Sequence, residues 1–312
     1  MRPSIQAASP RGDLDIGDLY REMVLIRQFE EAVVGLYRDA EIPGFVHVSL
    51  GAEASAVGIA GALSASDRLT TTHRGHGHML AKGVPPKELM AEIFGRADGI
   101  CGGWGGSMHG FHAPKGVLGS NGIVGAGAPI AAGSALQQRL REKGGITVAF
   151  FGEGAITTGN VHEALSLAAH LRLPAVFVCE YNGWVEFSRF EELATIDSIT
   201  GWASTYGLQV WEVSSGDVRD IRLAAEEAIS VARRGTPCFI QVSVSRLRGH
   251  YEGDQQRYRR GEDQPIDPLS QIEVELPRDI VEATRDEIRN VISDAVEFAR
   301  NSPWPEPSGM PP

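Results

Sequence analysis

Long apolar runs are absent from this sequence, and so is an apolar segment near its start that could act as a signal peptide. No stretch approaches the roughly eighteen apolar residues that a membrane-spanning helix requires. Residues 1–12 are polar and include two prolines, so we expect a disordered leader over residues 1–13. These absences predict a protein with no membrane partner and favour a cytoplasmic location.

Positive charge and cysteine are also scarce. Lys and Arg total 29 against 40 Asp and Glu, which gives a formal net charge of −11 at pH 7. The chain has no basic run, so nucleic acid is excluded as an expected partner. The cysteines, Cys101, Cys179 and Cys238, lack the spacing of a metal site, and we expect reduced thiols, as is usual in the cytoplasm.

The sequence does contain an alternation of predicted strands and helices. At 312 residues and 42% hydrophobic content, the chain can form a full core. The alternation predicts an α/β fold built on a doubly wound parallel sheet. We expect residues 14–312 to form a single domain that ends in a helix and a loose, proline-rich tail. The predicted strands cover residues 67–72, 146–151, 173–179, 208–213 and 237–244, and the main predicted helices cover residues 15–39, 82–94, 157–171, 197–206, 218–233 and 279–299.

Residues 146–182 carry the strongest functional signal. This stretch begins and ends with short, nearly continuous apolar runs, as expected of parallel strands that are buried on both faces. The segment between them has apolar residues at helical spacing, so the whole stretch predicts a strand–helix–strand crossover. Both strands therefore direct their carboxyl ends to the same edge of the sheet, where open α/β sheets bind ligands.

Polar groups follow both strands at that edge. Gly152, Glu153 and Gly154 come directly after the first strand, and Asn182 follows the second. A carboxylate and an amide oxygen suit Mg²⁺, which prefers hard oxygen ligands together with phosphate. Glycines allow the backbone to approach a diphosphate, and the following helix directs its N-terminus towards it. The alternative is that these residues form only a turn and a loop.

Three histidines within six residues, His73, His76 and His78, raise a zinc site as an alternative interpretation. No cysteine lies nearby, and the glycines between them favour a loop fitted to a ligand, in which Arg74 could contact phosphate. A polar loop after an edge strand is the third alternative. Glu53 begins a helix of small residues and would be costly to bury unless it is paired or functional.

The spacing of Glu153 and Asn182 resembles the fingerprint of thiamine-diphosphate-binding enzymes, a Gly-Asp-Gly followed about thirty residues later by Asn-Asn. In this chain Glu153 stands in place of the aspartate, and Tyr181 stands in place of the first asparagine. The resemblance implies that Glu153, Asn182 and the main-chain carbonyl of Trp184 hold Mg²⁺.

The resemblance extends from about residue 14 to residue 305. It is to the alpha subunits of thiamine-diphosphate-dependent dehydrogenases that act on 2-oxo acids and acetoin. The sequences at residues 72–78 and 249–254 are most similar to the acetoin-cleaving branch. The motifs that carry the resemblance lie at residues 44–47, 72–78, 105–109, 122–125, 152–154, 182 and 248–250.

The resemblance also assigns residues to the cofactor site. Arg74, Gly154 and Ala155 are expected at the diphosphate or its surroundings, and Gly122 and Val124 are expected to line the cofactor channel. The full set of expected cofactor-binding residues is His73, Arg74, Gly122, Val124, Gly152, Glu153, Gly154, Ala155, Asn182, Trp184 and His250.

Catalysis is assigned to His47 and His250, which are expected to face the reacting carbon and to move protons near neutral pH. The resemblance implies a beta subunit that completes the site in an α2β2 heterotetramer. This enzyme would cleave acetoin or decarboxylate a small 2-oxo acid, and pass the acyl unit to the lipoyl group of an acyltransferase component. Two alternatives stay open: a carboligase or transketolase-like enzyme that transfers the acyl unit to a small molecule, and a non-catalytic subunit.

Overall fold

A central sheet of six parallel strands dominates the computed structural model, which describes residues 15–141, 144–259 and 265–307. The strands of the described residues, of which β5 and β6 lie outside this sheet, are β1 (Arg68–Thr72), β2 (Val117–Asn121), β3 (Thr147–Gly152), β4 (Ala175–Tyr181), β5 (Trp184–Val185), β6 (Ser188–Arg189), β7 (Gln209–Val213) and β8 (Cys238–Ser243). The helices are α1 (Ile16–Arg38), α2 (Glu53–Ser55), α3 (His76–Ala81), α4 (Pro86–Ile93), α5 (Gly127–Leu140), α6 (Gly159–His170), α7 (Phe190–Leu193), α8 (Ile199–Ser204), α9 (Val218–Arg233), α10 (Pro268–Glu273) and α11 (Arg278–Asn301).

The order of strands in the sheet is β2-β1-β3-β4-β8-β7, and every neighbouring pair is parallel. The predicted crossover is confirmed, because β3 and β4 are neighbours connected through α6. β1 lies inside the sheet rather than at its edge, so the alternative of an edge strand at residues 67–72 is wrong. A second, two-stranded sheet, β5–β6, follows the end of β4.

Two apolar cores, one on each face of the sheet, explain the continuous apolar runs of the central strands. In β3, Val148 and Phe150 belong to the larger core, whereas Ala149 and Phe151 belong to the other. The larger core includes the buried faces of α1, α4, α9 and α11, and the smaller core includes those of α5, α6 and α8. Helices on both faces of a parallel sheet confirm the α/β fold class and the doubly wound arrangement.

Some boundaries differ from the sequence-based predictions. Strand β2 is not among the predicted strands, because Val117–Asn121 contains a glycine and only one strongly strand-favouring residue. This segment is extended because it pairs with β1. The predicted helix of small residues that begins at Glu53 is short: α2 ends at Ser55 and continues as a π-helix over Ala56–Ala60. None of the described helices is both long and apolar enough to cross a membrane. The predicted leader over residues 1–13, and the end of the predicted tail, lie outside the described residues.

Candidate active site

A cavity of about 420 Å³ lies at the carboxyl ends of the central strands. Strand β1 connects to β2 on one side, whereas β3 connects to β4 on the other, so the chain changes direction between β1 and β3. Ligands of open α/β sheets bind at such a switch point. Every residue to which the resemblance assigns a role lines this cavity. These groups lie close together because the carboxyl ends of parallel strands, and the loops that follow them, meet at the same edge of the sheet.

Glu153 is a buried carboxylate at the end of β3, with only 1% of its surface exposed. Its Oε1 accepts hydrogen bonds from the backbone N–H of Asn182, at 3.0 Å, and of Trp184, at 2.9 Å. Burial raises the pKa of Glu153 to about 7, although the backbone donors act in the opposite direction. The carboxylate is therefore positioned by the loop after β4 and is poorly solvated, as a ligand for a cation would be.

Asn182 follows β4 and contributes an amide oxygen to the same region. Its Oδ1 is buried and has no hydrogen-bond partner within the described residues. Its Nδ2 lies 3.4 Å from Glu153 Oε2, which leaves the oxygen free to face another group. A buried polar atom without a partner costs about 1–3 kcal/mol, so a cation at this oxygen would remove a real penalty.

Trp184 lies in β5, which pairs with β6 as a short hairpin. Its N–H donates to Glu153 rather than to the other strand. The N–H and C=O of one residue in an extended strand point to the same side, so the Trp184 carbonyl also faces the Glu153 side. The Glu153 carboxylate, the Asn182 amide oxygen and this carbonyl form a set of oxygen donors that fits Mg²⁺.

The glycines around Glu153 differ in their surroundings. A Cβ atom on Gly154 would lie 2.7 Å from Val185 Cγ1, so this glycine is required for close packing against the β5–β6 hairpin. A Cβ atom on Gly152 would meet nothing nearer than the Glu180 carbonyl at 3.9 Å, so Gly152 leaves open space at the end of β3. Gly152 thus leaves room in the cavity, and Gly154 allows the β5–β6 hairpin to pack against the cavity wall.

His47, His73 and His250 form a histidine cluster in the same cavity. Their ring centroids are separated by 4.7, 5.2 and 5.8 Å, and all three side chains are partly buried. Burial, followed by the charge of Arg74, lowers the pKa of His47 to about 3 and that of His73 to about 2. The same causes lower the pKa of His250 to about 4. All three imidazoles are therefore neutral at pH 7 and each offers one donor and one acceptor.

Arg74 supports this cluster through the backbone. Its Nη1 donates to the Val48 carbonyl at 3.0 Å, and its Nη2 donates to the His250 carbonyl and lies 3.3 Å from His250 Nδ1. Burial lowers the pKa of Arg74 to about 10, so the guanidinium stays charged at pH 7. Arg74 thus joins the loops that carry His47 and His250.

The charged loop after β8 is folded onto the cavity rather than being a solvated connection. Asp254 Oδ2 accepts hydrogen bonds from the His250 backbone N–H at 2.7 Å and from the Tyr258 hydroxyl at 2.6 Å. Arg246 Nη2 donates in turn to the Tyr258 hydroxyl at 2.8 Å. These bonds fix the backbone of His250 and therefore the direction of its ring.

Comparison with known proteins identifies the family and relatives of this chain. The sequence model of the dehydrogenase E1 component matches residues 21–308. The alpha subunit of acetoin:2,6-dichlorophenolindophenol oxidoreductase from Bacillus subtilis is 41% identical over 94% of this chain and 91% of its own length. The corresponding subunit from Cupriavidus necator is 38% identical, over 97% and 95%. The pyruvate dehydrogenase E1 alpha subunit of Zymomonas mobilis is 37% identical, over 92% and 85%.

The chain belongs to the dehydrogenase E1 component family. This confirms the resemblance on which the sequence-based assignment depends. The chain is an alpha-type subunit of a thiamine-diphosphate-dependent oxidoreductase. An alpha subunit implies a beta subunit and a complex with other components.

Two of the three neighbouring histidines in this E1 chain do not face the cavity. His76 Nδ1 is paired with buried Glu30 at 3.0 Å, and His78 Nε2 is paired with Glu180 at 3.1 Å. Only His73 lines the cavity. The zinc site suggested by the spacing of these three histidines is therefore not formed, because the helical turn at the start of α3 directs them to different neighbours.

Glu30 of α1 is a buried carboxylate that the sequence analysis did not identify. It is fully buried and also accepts hydrogen bonds from the Ser49 backbone N–H and hydroxyl. Its position was visible in the helical spacing, since Ile26 and Val33 lie four and three residues away on the buried stripe. Glu53 is likewise buried and is paired with Arg27 at 2.7 Å, which resolves the alternative left open for it.

The glycine-rich loop of the E1 chain, residues 101–106, is wrapped around a carboxylate that the sequence analysis missed. Glu92 of α4 is fully buried and accepts four backbone hydrogen bonds from this loop. His109, which follows this loop, is exposed and does not line the cavity. The loop therefore supports the site instead of supplying a reactive group.

Tyr181, the departure from the usual first asparagine, points away from the cavity. Its hydroxyl donates to Glu191 Oε1 of α7 at 2.9 Å, and it does not line the cavity, whereas the preceding residue Glu180 does. Burial raises the pKa of Tyr181 to about 12, so this side chain stays neutral. The Tyr181 side chain therefore contributes no group to the cavity lining.

Proposed function

We propose that this chain is the alpha subunit of an α2β2 enzyme that cleaves acetoin with thiamine diphosphate and Mg²⁺. The observation that carries the proposal is the buried Glu153 carboxylate, which the Asn182 and Trp184 N–H groups hold beside Asn182 Oδ1, an oxygen without a hydrogen-bond partner among the described residues, in the same cavity as the histidine cluster. These oxygens, with the Trp184 carbonyl, would hold Mg²⁺, and the open end of β3 at Gly152 would take the diphosphate.

We assign roles to other cavity residues on the basis of their positions. Arg74 brings a positive charge to the cavity, and Gly154 and Ala155 bring main-chain groups beside Glu153. Gly122 and Val124 form the wall after β2, where they would line the cofactor channel. Bound thiamine diphosphate would supply the nucleophilic carbon and stabilise the negative charge that appears when the substrate's carbon–carbon bond breaks.

The histidine cluster is proposed to handle the protons. His47 and His250 are neutral at pH 7, so each can take a proton at one ring nitrogen or give one from the other. His73 packs edge to face against His47, at 4.7 Å between ring centroids, and would hold it in position. Asp254 acts as a positioning residue, since it fixes the backbone of His250.

A beta subunit is proposed to cover the open side of the cavity. The side chains of Ile123 and Val124, which line the cavity, are 68% and 51% exposed. Phe45, two residues before His47, is 65% exposed. Apolar side chains at the mouth of a site are typical of a surface that a partner protein covers. The acyl unit would then pass to the lipoyl group of an acyltransferase component, and a cytoplasmic location remains a prediction.

The substrate is tested by co-expressing the chain with its beta subunit and measuring turnover with an artificial electron acceptor. Acetoin, pyruvate and branched 2-oxo acids are compared side by side. We expect acetoin to be the best substrate, as the names of the Bacillus and Cupriavidus relatives suggest. A preference for pyruvate would transfer the assignment to the branch of the Zymomonas relative. Turnover by the isolated chain would contradict the proposed half-site.

The cofactor site is tested by calorimetry of thiamine diphosphate binding to the complex, with and without Mg²⁺. Glu153→Ala and Asn182→Ala should each abolish the Mg²⁺-dependent part of binding, since each removes an oxygen donor. Glu191→Ala is the matched control, because Glu191 is exposed and contacts Tyr181 outside the cavity. Unchanged affinity in both site variants would show that the metal binds elsewhere.

A further inference from the structure

We propose that the histidine cluster of His47, His73 and His250 is a transition-metal site that takes Zn²⁺ or Co²⁺ through three imidazole nitrogens. It is separate from the oxygen donors around Glu153, and its existence does not depend on the proposed function. One ring nitrogen from each histidine can be chosen so that all of them lie within 4.8 Å of one another. The residues are far apart in sequence, so no motif reveals the site.

The ring positions fit a tetrahedral metal. Zinc–nitrogen bonds are about 2.0–2.1 Å, and a ring centroid lies about 1.1 Å beyond the nitrogen, so three rings on one tetrahedral ion have centroids about 5.2 Å apart. The measured separations are 4.7, 5.2 and 5.8 Å. Changes of about half an ångström in two of these separations would match the ideal centroid distances. The chosen ring nitrogens, which lie within 4.8 Å of one another, would also turn towards the ion when it binds.

The donors are also chemically suitable. His47 Nδ1 is buried and has no hydrogen-bond partner within the described part of the chain. Imidazole nitrogens favour Zn²⁺ and Co²⁺ over Mg²⁺, which prefers oxygen. All three histidines line the cavity, so an ion that enters the cavity can reach them.

Two nearby positive charges limit the affinity. Arg74 Nη2 lies 3.3 Å from His250 Nδ1, Arg246 acts on His250 in the same direction, and both charges oppose a dication. Among the described residues, the cluster includes no thiolate or carboxylate that would compensate. We therefore expect micromolar rather than nanomolar dissociation constants, as suits an ion that binds and leaves. If the proposed function is correct, a bound ion would withhold His47 and His250 from proton transfer and act as a reversible inhibitor.

The test is a Co²⁺ titration of the full chain after treatment with a chelator, followed by visible absorption. Four-coordinate Co²⁺ absorbs far more strongly than six-coordinate Co²⁺, so we expect intense bands that saturate at one ion per chain. Zn²⁺ should abolish them by displacement, whereas excess Mg²⁺ should not. Weak six-coordinate bands alone would overturn the proposal.

Variants locate the site. His47→Gln, His73→Gln and His250→Gln should each weaken Co²⁺ binding at least tenfold, with thermal melting used to confirm that each variant is folded. His170→Gln, at the exposed end of α6, is the matched control and should bind as the unmodified chain does. Glu153→Ala should keep the spectrum. Loss of the spectrum in Glu153→Ala, or unchanged affinity in the three cluster variants, would place the ion elsewhere and refute the proposal.

Discussion

Replacing Glu92 by glutamine should destabilise the protein severely, although this carboxylate touches no part of the cavity wall. Its Oε2 accepts from the N–H of Cys101 at 2.6 Å and of Gly103 at 2.9 Å. Its Oε1 accepts from the N–H of Gly105 at 2.6 Å and of Gly106 at 3.0 Å. A single buried carboxylate thus satisfies four backbone donors of a loop that has little side-chain packing of its own.

The expected loss of stability follows from these four bonds. Hydrogen bonds to a charged acceptor contribute about 1.5–3 kcal/mol each, and neutral ones about 1 kcal/mol. In Glu92→Gln the amide oxygen keeps two bonds in weakened form, whereas the amide nitrogen faces two N–H donors and leaves them unsatisfied. The gross loss is about 4–8 kcal/mol. Because a neutral amide is cheaper to bury than a carboxylate, we expect a net loss of about 2–4 kcal/mol.

Urea unfolding of the full chain, followed by circular dichroism, measures this loss. The midpoint should fall while the denaturant slope stays constant, which shows that the unfolded state is unchanged. The matched control is Glu88→Gln, on the same helix, because the Glu88 side chain is 44% exposed and lies 3.6 Å from His112. We expect the control to lose less than about 1 kcal/mol. If Glu92→Gln also lost less than about 1 kcal/mol of unfolding free energy, the conclusion that this carboxylate holds the loop in place would be refuted.

Three further predictions concern charge and regulation. Burial lowers the pKa values of the three clustered histidines, so these side chains bind protons more tightly in the unfolded chain than in the folded one. The urea concentration at the unfolding midpoint should therefore decrease when the pH is lowered from 7 to 5. This decrease should be smaller in His73→Gln, which lacks one of the three groups. Arg27→Ala leaves buried Glu53 without its partner and should cost about 3–5 kcal/mol in urea unfolding, against less than about 1 kcal/mol for Arg21→Ala, whose ion pair is exposed. Residues 251–265 contain no serine or threonine, so phosphopeptide mapping should find no serine or threonine switch in this loop; an activity-linked site there would have to be a tyrosine.

Much of the sheet could be predicted from local patterns. The helix predicted over residues 218–233 has those bounds in the structure, and the apolar runs at residues 146–151 and 237–244 are the buried strands β3 and β8. These segments are recognisable because a helix buried on one face has apolar residues at helical spacing, and a strand buried on both faces is a continuous apolar run. Glu153 and Asn182 could be placed at the same edge of the sheet for the same reason, since each directly follows such a strand.

The tertiary structure alone decided how the distant parts of the site meet. His47, His73 and His250 belong to different loops, and they converge because β1 and β8 end on the same side of the sheet and Arg74 joins their loops. The burial of Glu92 depends on a loop that has no periodic pattern. Local sequence therefore determined which elements form and which strand ends carry polar groups. The order of strands in the sheet, which depends on pairing between segments far apart in the chain, determined which of those groups share one cavity.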